Sequence, residues 1–223
     1  MVTHTLKFYD EVAAFAHKHP PAEHQRGVVL VGSSIARLWA DVAEHLAPLP
    51  VINLGFGGCR TWEVLANVDL LVHVYNPKVV IYYCGSNDVN FYAHKEHPDE
   101  AAVAKIATHV RRFRDAVHRV DPAVRIVFLS IIRAPQKEDH WDVVDDANTH
   151  IERMCAQDPI TLRFVDLHGV LEDAPRVPKL QLYLPDRLHY TRPAYEAFRA
   201  VVRPVVLQLW EQLALARAPT ARL

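Results

Sequence analysis

Ser33 and Ser34 stand just beyond the apolar run 28–31 and Gly32, and a helical pattern begins behind them. A hydroxyl so placed lies past the carboxyl end of a buried strand, where open α/β sheets bind ligands. It could attack a carbonyl carbon if a base took its proton. It could equally cap the helix that follows, a common role for Ser. Asp186-Arg187-Leu188-His189 contains a candidate base. A carboxylate three residues ahead of an imidazole can hold one ring nitrogen and leave the other free to accept a proton. The spacing is weak on its own, since Asp115-Ala116-Val117-His118 repeats it. That copy falls within a predicted helix, where an i,i+3 pair is a surface contact.

Two further stretches could contribute donors. In Gly85-Ser86-Asn87-Asp88 the Asn87 amide could point into the same crevice as Ser34, or Asn87 and Asp88 could simply form the turn. Five of the seven glycines (Gly32, Gly55, Gly57, Gly58 and Gly85) follow the first three predicted strands, where the backbone must turn sharply or approach a ligand. Neither G-x-G-x-x-G nor G-K-[ST] occurs, which argues against a nucleotide site. Phe56, Trp62, Phe91 and Tyr92 could wall an acyl or aryl pocket, although aromatics at such spacing also serve as core. Arg133, just after the fourth strand, could meet a polar or anionic substrate group or stand in solvent.

The elements that must position these residues alternate. Apolar runs at 27–31, 51–55, 78–85, 124–132 and 162–167 read as strands. Helical periodicity covers 5–19, the stretch after Ser34 (Ile35, Leu38, Trp39, Val42, Leu46), and the stretch carrying Leu65, Val68 and Val72. A long helix from about Pro98 carries Val103, Ile106, Val110, Phe113 and Val117. Further helices are expected at 141–155 and from about Pro193, the last using Phe198, Val202, Val205 and Leu209 and bent at Pro204. Residues 133–141 read as a polar loop and 169–188 as an irregular one. This alternation predicts an α/β fold of three layers, α/β/α, with a doubly wound five-stranded parallel sheet in the flavodoxin-like order 2-1-3-4-5. No composition break divides the chain, so one domain is expected over 1–223: a helix and lead-in at 1–26, the motif-bearing core at 27–200, and a C-terminal helix and tail at 193–223.

A formal net charge of −1 gives no electrostatic reason to expect nucleic acid as a partner. No apolar run is as long as a membrane span. The first residues lack the basic-then-apolar layout of a secretory signal, and Cys59, Cys84 and Cys155 form no disulfide framework or metal pair. A cytoplasmic setting is therefore expected, with the oligomeric state open.

The four stretches GSSI, NLGFGGC, GSND and DRLH, in that order at successive strand ends, resemble the blocks of the SGNH hydrolases, the GDSL lipase/esterase family. The resemblance covers about residues 27–200. It implies a flavodoxin-like SGNH fold and a metal-independent serine esterase that needs no cofactor and acts on a small-molecule ester. Carried onto this chain, it makes Ser34 the nucleophile, His189 the base and Asp186 its orienting carboxylate. The oxyanion hole would be the Ser34 and Gly58 backbone N–H groups with the Asn87 side-chain amide. Ser33 stands where the family usually has Asp, as in a subgroup, and Cys59 stands where Asp is frequent. The same residues would suit a thioesterase or acyltransferase, and the fold alone a non-catalytic binding module. Short acyl chains are the expected substrates.

Overall fold

A computed structural model describes residues 8–93 and 99–215. Five runs rich in Val, Ile, Leu and Tyr form β1 (Val28–Gly32), β2 (Val51–Gly55), β3 (Val79–Tyr83), β4 (Arg125–Leu129) and β5 (Leu162–Val165). All pairings are parallel, in the order β2-β1-β3-β4-β5. Every residue of β1 and β3 is buried, because both faces of the sheet are covered and no polar alternation is required. Side chains alternate between two cores: Val29, Val31, Val80, Tyr82, Ile126 and Phe128 face one, and Val28, Leu30, Ile81, Tyr83, Val127 and Leu129 the other. This is the three-layer arrangement expected from the sequence.

The helices depart from expectation in three places, two of them where a polar side chain intercepts a carbonyl. The expected helix at 5–19 is α1 (Tyr9–Ala13) and α2 (Phe15–Lys18), with residues 5–7 outside the described part. The single helix expected after Ser34 is two, α3 (Ser34–Leu38) and α4 (Val42–His45). Asn53 of β2 donates its amide to the Ala36 and Trp39 carbonyls, satisfying the end of α3 early, and Trp39 Nε1 donates to His45 Nδ1 across the break. Likewise α5 (Thr61–Ala66) gives way to α6 (Val68–Leu71) at Asn67, whose amide donates to the Glu63 carbonyl.

Then follow α7 (Ser86–Ala93), α8 (Asp99–Val120) and α9 (Trp141–Gln157). The five apolar residues read as the seam of α8 are all buried. The stretch 133–141 is not an exposed loop: Pro135–His140 forms a 3-10 turn that buries Lys137. The stretch 169–188 is not irregular either. It holds α10 (His168–Leu171) and a hairpin of β6 (Glu172–Ala174) and β7 (Val177–Pro178). Last comes α11 (Arg192–Leu215), continuous through Pro204, with Phe198, Val202, Val206 and Leu209 buried and Val205 only half-buried. No described helix is long and apolar enough to cross a membrane.

Candidate active site

Ser34 owes its position to Gly32. There φ is +143°, and a Cβ would lie 1.8 Å from the Tyr83 carbonyl oxygen, so β1 can pass β3 at that point only without a side chain. Ser33 follows in extended conformation, its N–H donating to the Tyr83 carbonyl and its carbonyl accepting from Arg37 N–H. The Ser33 hydroxyl is buried with no hydrogen-bond partner, and no side chain caps α3. Ser34, half-buried at the first position of α3, is the serine that reaches a cavity.

His189 comes to it from the other end of the chain. Leu184 N–H donates to the His189 carbonyl at 2.7 Å, Gln136 N–H donates to the Arg187 carbonyl, and Tyr183 bridges Tyr190, so the turn ahead of α11 is fixed on both flanks. Asp186 Oδ1 accepts from the N–H groups of Leu188 (3.0 Å) and His189 (2.9 Å). Its Oδ2 lies 2.7 Å from His189 Nδ1, and His189 Nε2 lies 2.8 Å from Ser34 Oγ. The hydrogen bond from the His189 ring, with the backbone donors, holds the Asp186 carboxyl down to about 2, so it is ionised near neutrality. An ionised acceptor at Nδ1 keeps the proton there and leaves Nε2 as the acceptor for the serine hydroxyl.

Gly58 and Asn87 line the same cavity, of about 440 Å3. Gly58 has φ +78°, and a Cβ there would touch nothing; the left-handed backbone, and not space, calls for glycine. Asn87 spends one amide hydrogen on the Cys59 carbonyl at 2.9 Å and keeps the other. Behind it, buried Asp88 accepts from Thr61 N–H (2.9 Å) and Thr61 Oγ1 (2.5 Å), which locks α7 to α5 and hence Asn87 to the glycine loop.

A family model, GDSL-like Lipase/Acylhydrolase family, matches residues 26–197. The chain belongs to this family. Solved lipase/acylhydrolase structures share its fold at low identity. A GDSL-like lipase from Bacteroides thetaiotaomicron aligns with TM-score 0.69 at 18% identity, over 90% of this chain and 96% of that one. A lipase/acylhydrolase from Enterococcus faecalis gives 0.63 at 18%, over 82% and 95%. The C-terminal catalytic domain of peptidoglycan O-acetyltransferase A from Streptococcus pneumoniae gives 0.58 at 14%, over 84% and 96%. The search of curated proteins found no match.

Within this member of the family, Ser34, Gly58, Asn87 and His189 come together as the sequence blocks suggested, with Asp186 behind His189. Gly57, Leu188, Arg37 and Glu11 complete the lining. The five residues read as pocket walls are elsewhere. Phe56 is fully buried, edge-on to Phe8 at 5.3 Å, because the turn after β2 points it into the core. Half-buried Trp62 and Phe91 both pack against the Arg60 guanidinium, and Tyr92 packs on the core beneath α7. Arg133 is taken up in ion pairs, both Glu172 oxygens at 2.8 Å and Asp145 at 2.6 Å, and does not reach the cavity. His118 of the duplicate D-x-x-H bonds the Val124 carbonyl.

Two groups escaped the sequence reading. Asp166 and His168 pair at 2.8 Å much as Asp186 and His189 do, but His168 Nε2 accepts the Arg133 N–H and has no lone pair to spare. Lys137 is 2% exposed and donates to the Ser86 carbonyl at 2.5 Å, at the root of α7. Burial pushes its ammonium down to about 8. In Pro-Gln-Lys-Glu-Asp-His a lysine reads as solvated, and no single-sequence signal marks it otherwise. Among the described residues, no three His, Cys, Asp or Glu side chains converge as metal ligands would.

Proposed function

We propose that this chain is a serine esterase that cleaves small carboxylic esters through an acyl-enzyme on Ser34. The observation that carries the reading is the continuous line from Asp186 through His189 to Ser34, at 2.7 and 2.8 Å. His189 Nε2 takes the hydroxyl proton as Ser34 Oγ attacks the ester carbonyl, then returns it to the departing alcohol. Water, activated by the same nitrogen, attacks the acyl-enzyme and releases the acid. Negative charge that develops on the carbonyl oxygen is met by the Ser34 and Gly58 N–H groups and the second Asn87 amide hydrogen. Asp186 holds the imidazole in the required tautomer. A cavity of about 440 Å3 whose one aliphatic side chain among the described residues is Leu188 supports short acyl groups over long ones. Three buried free thiols support a reducing, cytoplasmic setting, with the whole chain acting as one catalytic unit.

The test is p-nitrophenyl acetate hydrolysis by the wild type beside Ser34→Ala, with circular dichroism on both. Turnover confined to the wild type, with equal spectra, is expected. His189→Ala should be nearly as inactive, and His118→Ala should match the wild type. If Ser34→Ala stayed active while Ser33→Ala were dead, the assignment would be overturned.

A further inference from the structure

Among the described residues of the cavity lining, Arg37 is the one with a permanently charged cationic side chain, and the mechanism above does not use it. It lies three residues after Ser34 on α3, so both side chains emerge on the same helix face. Its guanidinium lies over the bare α-carbon of Gly57: a Cβ there would be 3.0 Å from Arg37 Nε and 3.4 Å from Cζ and Nη2. Arg37 is exposed, and it forms no ion pair or side-chain hydrogen bond with another described residue. Other described arginines also stand unpaired, but Arg37 is the one whose unspent donors line the cavity of the serine.

A planar fork of N–H donors set beside a nucleophile matches a carboxylate, sulfonate or phosphate group. We propose that the site selects esters carrying an anionic group, and that Arg37 is the residue that reads it. This rests on the esterase reading and names the substrate class of that same site. Glu11, exposed on α1 and lining the same cavity, carries the opposite charge, and its carboxylate repels an anion seated near it. The polar lining fits the proposal, since among the described residues an uncharged alkyl ester finds only Leu188 to pack against.

The experiment compares kcat/KM for charged and neutral esters of matched size, in two arms. The acyl arm sets mono-4-nitrophenyl adipate against 4-nitrophenyl hexanoate. The alcohol arm sets 3-acetoxybenzoate against phenyl acetate. The readout is the charged-to-neutral ratio, which a merely structural effect of a substitution leaves unmoved. Arg37→Ala should lower that ratio roughly ten- to hundredfold on the arm whose anion meets Arg37, as expected for loss of a hydrogen bond between charged groups. Arg37→Lys should retain part of it, Glu11→Gln should raise it, and added salt should shrink it in the wild type. An unchanged ratio in Arg37→Ala on both arms, with Ser34-dependent turnover of the neutral esters intact, overturns the proposal and leaves the esterase standing. If the wild type turns over none of the four esters, the esterase reading fails and takes this inference with it.

Discussion

Asn87 illustrates how much of the candidate chemistry depends on a side chain having one hydrogen bond already made. With one amide hydrogen given to the Cys59 carbonyl, its orientation is settled before any substrate arrives. Asn87→Ala should therefore cost about 10²–10³ in kcat with KM little changed, the pattern for a donor that matters most in the transition state; steady-state kinetics on p-nitrophenyl acetate would show it. A matching rise in KM with kcat preserved would instead make Asn87 a ground-state contact. Arg37 and Glu11 of the cavity lining carry no sign of it in the sequence, whereas Ser34, Gly58, Asn87, Asp186 and His189 were legible because their types are restricted by chemistry and their places by strand ends. Lys137 was not, because what makes it unusual is its burial, a property of α7 and the neighbouring turn and not of its own neighbours in sequence. Arg133 misled for the same reason: its partners Glu172 and Asp145 are distant in sequence.

At the level of elements, those Arg133 contacts tie the β6–β7 hairpin and α9 to the end of β4. Arg176 of the hairpin turn adds pairs to Asp142 and Asp145. Glu172 is almost buried, its side chain 5% exposed, so removing its partner strands a carboxylate. Arg133→Ala should lower unfolding stability by about 3 kcal/mol, measured by urea denaturation. A loss below about 0.5 kcal/mol would mean that the network is screened like an ordinary surface pair. The strands were readable because a strand buried on both faces needs only a run of apolar residues. The breaks between α3 and α4, and between α5 and α6, were not. In the first, the residue that ends the helix, Asn53, sits on β2, and the periodicity of Ile35, Leu38, Trp39 and Val42 carries no trace of it.

Across the whole molecule, buried ionisable groups make stability depend on pH in a direction that can be worked out. Lys137, lowered from 10.5 to about 8, binds fewer protons folded than unfolded between those values, so its contribution is full above 10.5 and is lost as pH falls through 8. Relative to Lys137→Met, the wild type should thus gain roughly 1–2 kcal/mol of stability from pH 8 to 9.5; Cys84 and Cys155, whose folded thiols burial pushes upward, oppose that gain equally in both proteins. The window closes above it, because unfolded tyrosines ionise near pH 10. Tyr82, Tyr83 and Tyr190, all pushed upward by burial, then favour unfolding. Denaturant titrations of both proteins at four pH values would show the difference; parallel pH dependences in the wild type and Lys137→Met would remove Lys137 from this role.

Ser34 and His189 lie 155 residues apart in the chain. In a protein made from its amino end, the serine is thus in place long before the imidazole that would arm it. On the proposed mechanism a growing chain can complete β1 to β5, bury the core on one face of the sheet and still cleave nothing, since the other core awaits α11. Asp186 and His189 arrive together, on one short turn, and switch the site on in a single docking event. Ester cleavage by this protein would then report more than the presence of a serine: it would announce that the two far-apart stretches of the polypeptide have met.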